Sequence, residues 1–174
     1  MSPMAKDLNR LDGRVAIVTG GGTGIGKAIA ETFAQAGAHV VVSGRSRETI
    51  EPVARAVGGT AVLCDVAKLD EVESLFTQAL AISGKVDVLV NNACQSGPIG
   101  NIADVDLDAW RTCVEINLFG TVNCLRVASR IMSAQGSGSI INMSSLMGLK
   151  GYPMRSAYCA TKFAVIGLTE TVAR

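Results

Sequence analysis

Tyr158 and Lys162 stand four residues apart in a stretch, SAYCATKFAV, that reads as helix, so their side chains leave the same face. A tyrosine hydroxyl is a weak acid, with an ordinary pKa of about 10. A neighbouring ammonium stabilises its phenolate and fits the group for proton transfer to and from an oxygen. Ser145, thirteen residues ahead of the tyrosine, could hold that oxygen by a hydrogen bond. Tyr and Lys at this spacing also arise by chance in many helices, so the pair needs a second constellation beside it.

That second constellation is RVAIVTGGGTGIG, residues 14–26. Val15 to Val18 read as a short apolar strand, and the glycines turn it into a helix beginning near Gly24. A strand, a glycine-rich turn and a helix N-terminus form a site for a pyrophosphate, because the helix end offers unpaired N–H groups and missing Cβ atoms let phosphates approach. Gly20, Gly24 and Gly26, with Thr23 and Ile25 between them, follow a TGxxxGxG spacing. A bound nicotinamide would add positive charge beside Tyr158, and Lys162 could also position its ribose. At the end of the second strand the sequence is SGRSR: Gly44 stands where an acid would accept the ribose hydroxyls of NAD, and Arg45 follows. A guanidinium there pairs with a 2′-phosphate, which favours NADP over NAD; the plainer reading of Arg45 is a solvated arginine at a helix start. Asp65, ending the third strand, meets the adenine edge or caps the next turn.

Composition sets outer limits. The chain has 174 residues, read as one domain over 1–174, with 48 % apolar and 18 % charged residues and a net charge of +1. That charge offers no field for nucleic acid or anionic lipid. No apolar run approaches the length of a membrane span, and MSPMAKDLNR lacks the apolar core of a secretory signal, so it reads as a loosely docked lead-in. The cytoplasm is the expected location. Five cysteines, at 64, 94, 113, 124 and 159, show no CxxC pair, so neither metal nor disulfide is expected. His39 reads as structural.

The elements that must position these residues alternate. A helix carrying Ile25, Ile29, Ala30 and Phe33 is stopped by Gly37, and Val40 to Val42 form a second strand, continuous as a doubly covered strand should be. A helix over about 47–57, capped by Ser46 and shortened or kinked by Pro52, leads to a third strand at 60–64. Val72, Leu75, Phe76 and Ala79 mark the next helix, ended by Gly84, and Val86 to Val90 the fourth strand. A long helix from Leu107 to about Met132 has room for a bend at Gly120; Ser139 to Met143 form a fifth strand, and a last helix reaches Arg174. Five alternations predict an α/β fold with a parallel sheet covered on both faces and ligands at the carboxyl ends of the strands.

TGGGTGIG at 19–26, NNAC at 91–94, Asn117, Ser145 and YCATK at 158–162 occur in the order and spacing of one family, and from about Leu11 onward the chain resembles the classical type of short-chain dehydrogenase/reductase. The resemblance implies a doubly wound, Rossmann-like sheet of order 3-2-1-4-5. It also implies a tetrad of Asn117, Ser145, Tyr158 and Lys162, in which the asparagine helps hold a water linking Lys162 to solvent. Asp65, Val66, Asn92 and Ala93 would border the cofactor, together with Ile17, which is more simply core, while Asn91 would brace the sheet. Cys94 departs from the glycine of NNAG and would be strained if its backbone required positive φ. Family members run on beyond this length, which implies a C-terminally truncated chain. The expected function is hydride transfer between NADP(H) and a small carbonyl or alcohol, the alternative an inactive dinucleotide-binding or protein-interaction fragment; a homo-oligomer would form through the long helices. Gln95, Leu146, Met147 and Met154 border an apolar pocket or are packing residues.

Overall fold

The computed structural model describes residues 10–173; the lead-in at 1–9 and Arg174 lie outside the described residues. Five parallel strands, β1 (Val15–Thr19), β2 (His39–Gly44), β3 (Thr60–Leu63), β4 (Val88–Asn91) and β5 (Ser139–Asn142), form one sheet in the order β3-β2-β1-β4-β5. Register is direct, with Ile17 opposite Val41 on one side and Leu89 on the other. Helices α1 (Gly24–Gln35), α2 (Arg47–Ala56), α3 (Leu69–Ser83), α4 (Leu107–Val114), α5 (Gly120–Gln135) and α6 (Ser156–Val172) follow the strands.

The uninterrupted apolar strands are explained by two cores, one on each face. Val15, Ile17, Val41 and Leu89 point into a core with Leu75, Phe76 and Ala128, which brings α3 and α5 to that face. Their immediate neighbours Ala16, Val18, Val40, Val42 and Val90 point into the other, with Ala30 from α1 and Ile50 and Val53 from α2. His39 lends its ring to a 2.9 Å contact with Thr60 across β2 and β3, a structural use.

Several boundaries shift for identifiable reasons. Val86 is not in β4, because the Gln135 side-chain amide takes both its N–H and its carbonyl, each at 3.0 Å. The Ser46 side chain does not cap α2. Its carbonyl instead accepts the Thr49 hydroxyl at 2.9 Å. Pro52 lies inside α2, which is only ten residues long. Where a bend was expected near Gly120, residues Glu115–Phe119 form a π turn joining α4 to α5, with the Gly120 N–H on the Glu115 carbonyl.

Candidate active site

The carboxyl ends of β1, β2, β3 and β4 open on one cleft of about 230 Å³. Gly20, Thr23, Gly44, Arg45, Asp65, Val66 and Ala93 all line it, together with Cys94 and Ile116 at the end nearer the tetrad. Gly20 is in the left-handed region at φ +63°, and a Cβ there would come within 2.9 Å of the Ala93 Cα. Gly26 is buried under the turn, where a Cβ would meet the Gly20 carbonyl and the Asn92 amide. These two positions keep the cradle shallow enough for a phosphate backbone. Thr23 occupies the N-cap of α1 without using its side chain on the helix. A dinucleotide therefore fits the residues present.

Asn92 is not among the lining residues. Its side chain donates to the Thr19 carbonyl at 3.0 Å and the Gly20 carbonyl at 3.2 Å, so it braces the glycine turn. Thr19, which the motif reading passed over, is the buried pivot: its hydroxyl donates to the Val90 carbonyl at 3.2 Å and accepts the N–H groups of Asn92 and Ala93 at 3.0 and 3.1 Å. The signal was available as the threonine directly ahead of Gly20. Ile17 is fully buried core, while Ile25 is exposed. Asp65 accepts the Ala67 N–H at 3.1 Å, a local turn cap, and still lines the cleft. Asn91 donates to Asn142 at 2.8 Å and so ties β4 to β5. Cys94 is exposed and does not have positive φ, so no strain attends it.

The four tetrad residues come from three segments: the π turn, the loop after β5, and α6, which carries both Tyr158 and Lys162. Lys162 is only 3 % exposed, and its ammonium donates to the Met143 carbonyl at 2.6 Å, joining α6 to the end of β5. Burial pushes its pKa down. Its Nζ lies 5.5 Å from the centre of the Tyr158 ring. Ser145 caps the short turn Leu146–Gly148 by accepting the Met147 N–H at 3.2 Å. Tyr158 feels burial first, which pushes the phenol up, and the charge of Cys94 adds to it; a hydrogen bond with Ser145 and the Arg155 charge pull the other way. The net direction is upward.

Asn117, buried in the π turn, accepts the Gln95 N–H at 2.8 Å and donates to the Gln95 carbonyl at 2.9 Å. Its side chain thus fastens the loop after β4, and its carbonyl accepts the Thr121 hydroxyl at 2.8 Å. Arg155, at the N-cap of α6, was not singled out from the sequence; its guanidinium carbon lies 6.0 Å from the Tyr158 ring centre. All five cysteines are free thiols, and burial pushes Cys64 up to about 12. Among the described residues no helix is long and apolar enough to cross a membrane, and no group of His, Cys, Asp and Glu could hold a metal ion.

Residues 14–174 match the family described as short chain dehydrogenase. The chain is 42 % identical over 165 residues to a cis-4-hydroxycyclohexanecarboxylate dehydrogenase of Sinomonas cyclohexanicum, covering 92 % of this chain and 66 % of the relative. It is 38 % identical over 169 residues to a 2,5-dichloro-2,5-cyclohexadiene-1,4-diol dehydrogenase of Sphingobium indicum, covering 95 % and 68 %. The crystal structure of an NAD+-bound xylitol dehydrogenase superposes with a TM-score of 0.89 at 35 % identity, over 93 % of this chain and 64 % of that one. The chain thus spans about two thirds of the length of these relatives.

Proposed function

The chain belongs to the short-chain dehydrogenase/reductase family, and on that premise we propose that it interconverts a carbonyl and an alcohol, with Tyr158 as general acid and base. The observation that carries this is the meeting of Ser145, Tyr158 and Lys162, with Cys94, which lines the glycine-floored cleft, among the groups that act on the phenol. The nicotinamide cofactor, when bound, supplies or accepts the hydride. Gly20, Thr23, Gly24 and Gly26 would hold its phosphates by backbone approach, Val66 and Ala93 line the floor, and Asn92 acts from behind it by bracing the glycine turn. Ser145 holds the substrate oxygen. Tyr158 gives that oxygen a proton in reduction and takes it back in oxidation. Lys162 sets the electrostatics beside the ring and would hold the ribose, and Asn117 keeps the loop after β4 in register.

NADP is the preferred cofactor in this reading. Arg45 is exposed, lines the cleft, and among the described residues enters no ion pair, whereas Arg47 is held by Glu51 at 3.0 Å. The substrate is a small alcohol or ketone: two relatives are named for ring-borne alcohols, and the exposed Leu146 and Met154 would give the site apolar walls. Exposed Phe119 and Phe163, in the π turn and on α6, favour a homo-oligomer through the long helices. Tyr158→Phe tests the chemistry. Turnover of a cyclic secondary alcohol should fall at least about a thousandfold, the upper range for losing a general acid–base group, while NADPH titrated by fluorescence binds as before. Turnover retained in Y158F would refute the assignment.

A further inference from the structure

We propose that Arg155 anchors a carboxylate carried by the substrate, so that this site takes an anionic alcohol or ketone, its carboxylate on the guanidinium and its reacting oxygen at Tyr158. The proposal deepens the reading of Tyr158 as acid and base and rests on it. Arg155 lies three residues ahead of Tyr158, at the N-cap of α6, and its guanidinium carbon stands 6.0 Å from the centre of the phenol ring. The phenol oxygen is one ring radius and one bond from that centre, so a molecule that meets both groups need be no larger than a single substituted ring.

The guanidinium is short of partners. Its Nη1 is buried with no hydrogen bond, and among the described residues Arg155 enters no ion pair. A buried donor without an acceptor is costly to keep, and a planar fork in that state is what a carboxylate fills with two parallel bonds. The residue as a whole is half-buried, so the fork can be reached from outside, and Met154, directly before it, is exposed and offers apolar surface to a ring. The backbone around Arg155 is pinned. Its N–H donates to the Tyr152 carbonyl at 3.3 Å, the Met154 carbonyl accepts the Gly100 N–H at 3.1 Å, and Trp110 of α4 donates to the Ser156 hydroxyl at 3.1 Å. A stem seated this way loses little freedom on binding, as an orienting contact requires.

The other cations near the site have their own places. The Lys162 ammonium, 5.5 Å from the same ring, is buried beside the phenol and donates to the Met143 carbonyl at 2.6 Å. Arg45 follows β2, on the far side of β1 and β4 from β5, and lines the cleft with the glycine turn. Arg155 is left to meet a charge on the substrate. That carboxylate is a spectator: in oxidation the alcohol carbon gives its hydride to the oxidised cofactor and the hydroxyl proton passes to ionised Tyr158, leaving the ketone.

Hydroxycyclohexanecarboxylates of each ring isomer, compared with their methyl esters, test this, since the ester keeps the shape and loses the charge. Wild type should favour at least one acid over its ester by about tenfold or more in kcat/KM. In R155Q that acid-to-ester ratio should fall about tenfold to a hundredfold, the range for a hydrogen bond to a charged group, with the loss in KM, and R155K should restore part of it. Calorimetric titration of the full chain with cyclohexanecarboxylate, in the presence of NADP+, reads the same contact without turnover, and its affinity should fall about tenfold in R155Q. Acids no better than their esters in wild type, or a preference kept in R155Q, overturn the proposal. If R155Q does not fold, R155M replaces it, and failure of both to fold makes Arg155 structural and overturns the proposal as well. Should neither acid nor ester be turned over, calorimetry decides: a carboxylate affinity that falls in R155Q supports Arg155 and counts against the proposed function, and one that is absent or unmoved overturns the proposal.

Discussion

At the end of β2, Gly44 leaves beside Arg45 the space that an acidic side chain would occupy in a site reading both ribose hydroxyls. The backbone of Gly44 does not lie in the left-handed region, so a side chain is admissible there, and an added Cβ would meet only the Ile50 Cγ2, at 3.0 Å. Gly44→Asp should therefore fold with a small adjustment of Ile50. It should weaken NADPH by repulsion of the 2′-phosphate and strengthen NADH by hydrogen bonding, changing the NADPH-to-NADH affinity ratio by about a hundredfold, or about 2.7 kcal/mol. Parallel fluorescence titrations measure that ratio. If it is unaltered, Gly44 and Arg45 do not read the phosphate. The same scale governs Tyr158, whose surroundings oppose each other: burial pushes the phenol up, and Ser145 and Arg155 restrain it.

Among the elements, the join between α4 and α5 has the clearest tie to the site. The π turn at Glu115–Phe119 places Asn117 where its amide can clasp Gln95, and Gly120 follows it directly. A Cβ on Gly120 would stand 2.5 Å from the Val66 Cγ2, so glycine is needed for close approach of the helix to the turn after β3. Gly120→Ala would gain about 1 kcal/mol in helix propensity. The overpacking costs about 1–3 kcal/mol, and since the obstacle is a buried Val66 that cannot swing away, the larger figure decides the sign. Thermal unfolding should show a lower Tm. Because Val66 lines the cleft, NADPH affinity should fall with it, and a variant with wild-type Tm and affinity would mean that α5 yields freely.

For the molecule as a whole, the end of the sheet opposite the cleft carries its own electrostatic fastening. Burial raises the Asp87 carboxyl, but the Arg14 guanidinium at 2.6 Å and the Val15 N–H at 2.9 Å outweigh it and hold the pKa below the ordinary value. The unfolded chain binds that proton at about pH 3.9. The stabilisation is therefore complete above that pH and is lost as pH falls through the lower folded value. Asp87→Asn should lower Tm at neutral pH, and its deficit against wild type should shrink on acidification below about pH 4. A deficit that stays constant with pH would show that packing, not charge, is what the substitution removes.

Most of the architecture was legible in the chain because its signals are local. Continuous apolar runs at Val15 to Val18 and Val40 to Val42 state that both faces are covered. Gly37 and Gly84 end their helices where the spacing stops. The glycines, Asn117, Ser145 and the Tyr158–Lys162 spacing fixed the family before any contact was known. What the tertiary structure decided concerns polar partners, because a hydrogen bond depends on groups far apart in sequence and its energy on their burial. Gln135 unpairs Val86 from β4 from 49 residues away. Asn117 spends its side chain on Gln95, and Lys162 spends its ammonium on Met143. Arg155, which no motif marks, has its guanidinium carbon 6.0 Å from the centre of the Tyr158 ring, to which the Lys162 ammonium comes within 5.5 Å, and only the packing of these side chains decides that both cations face one ring.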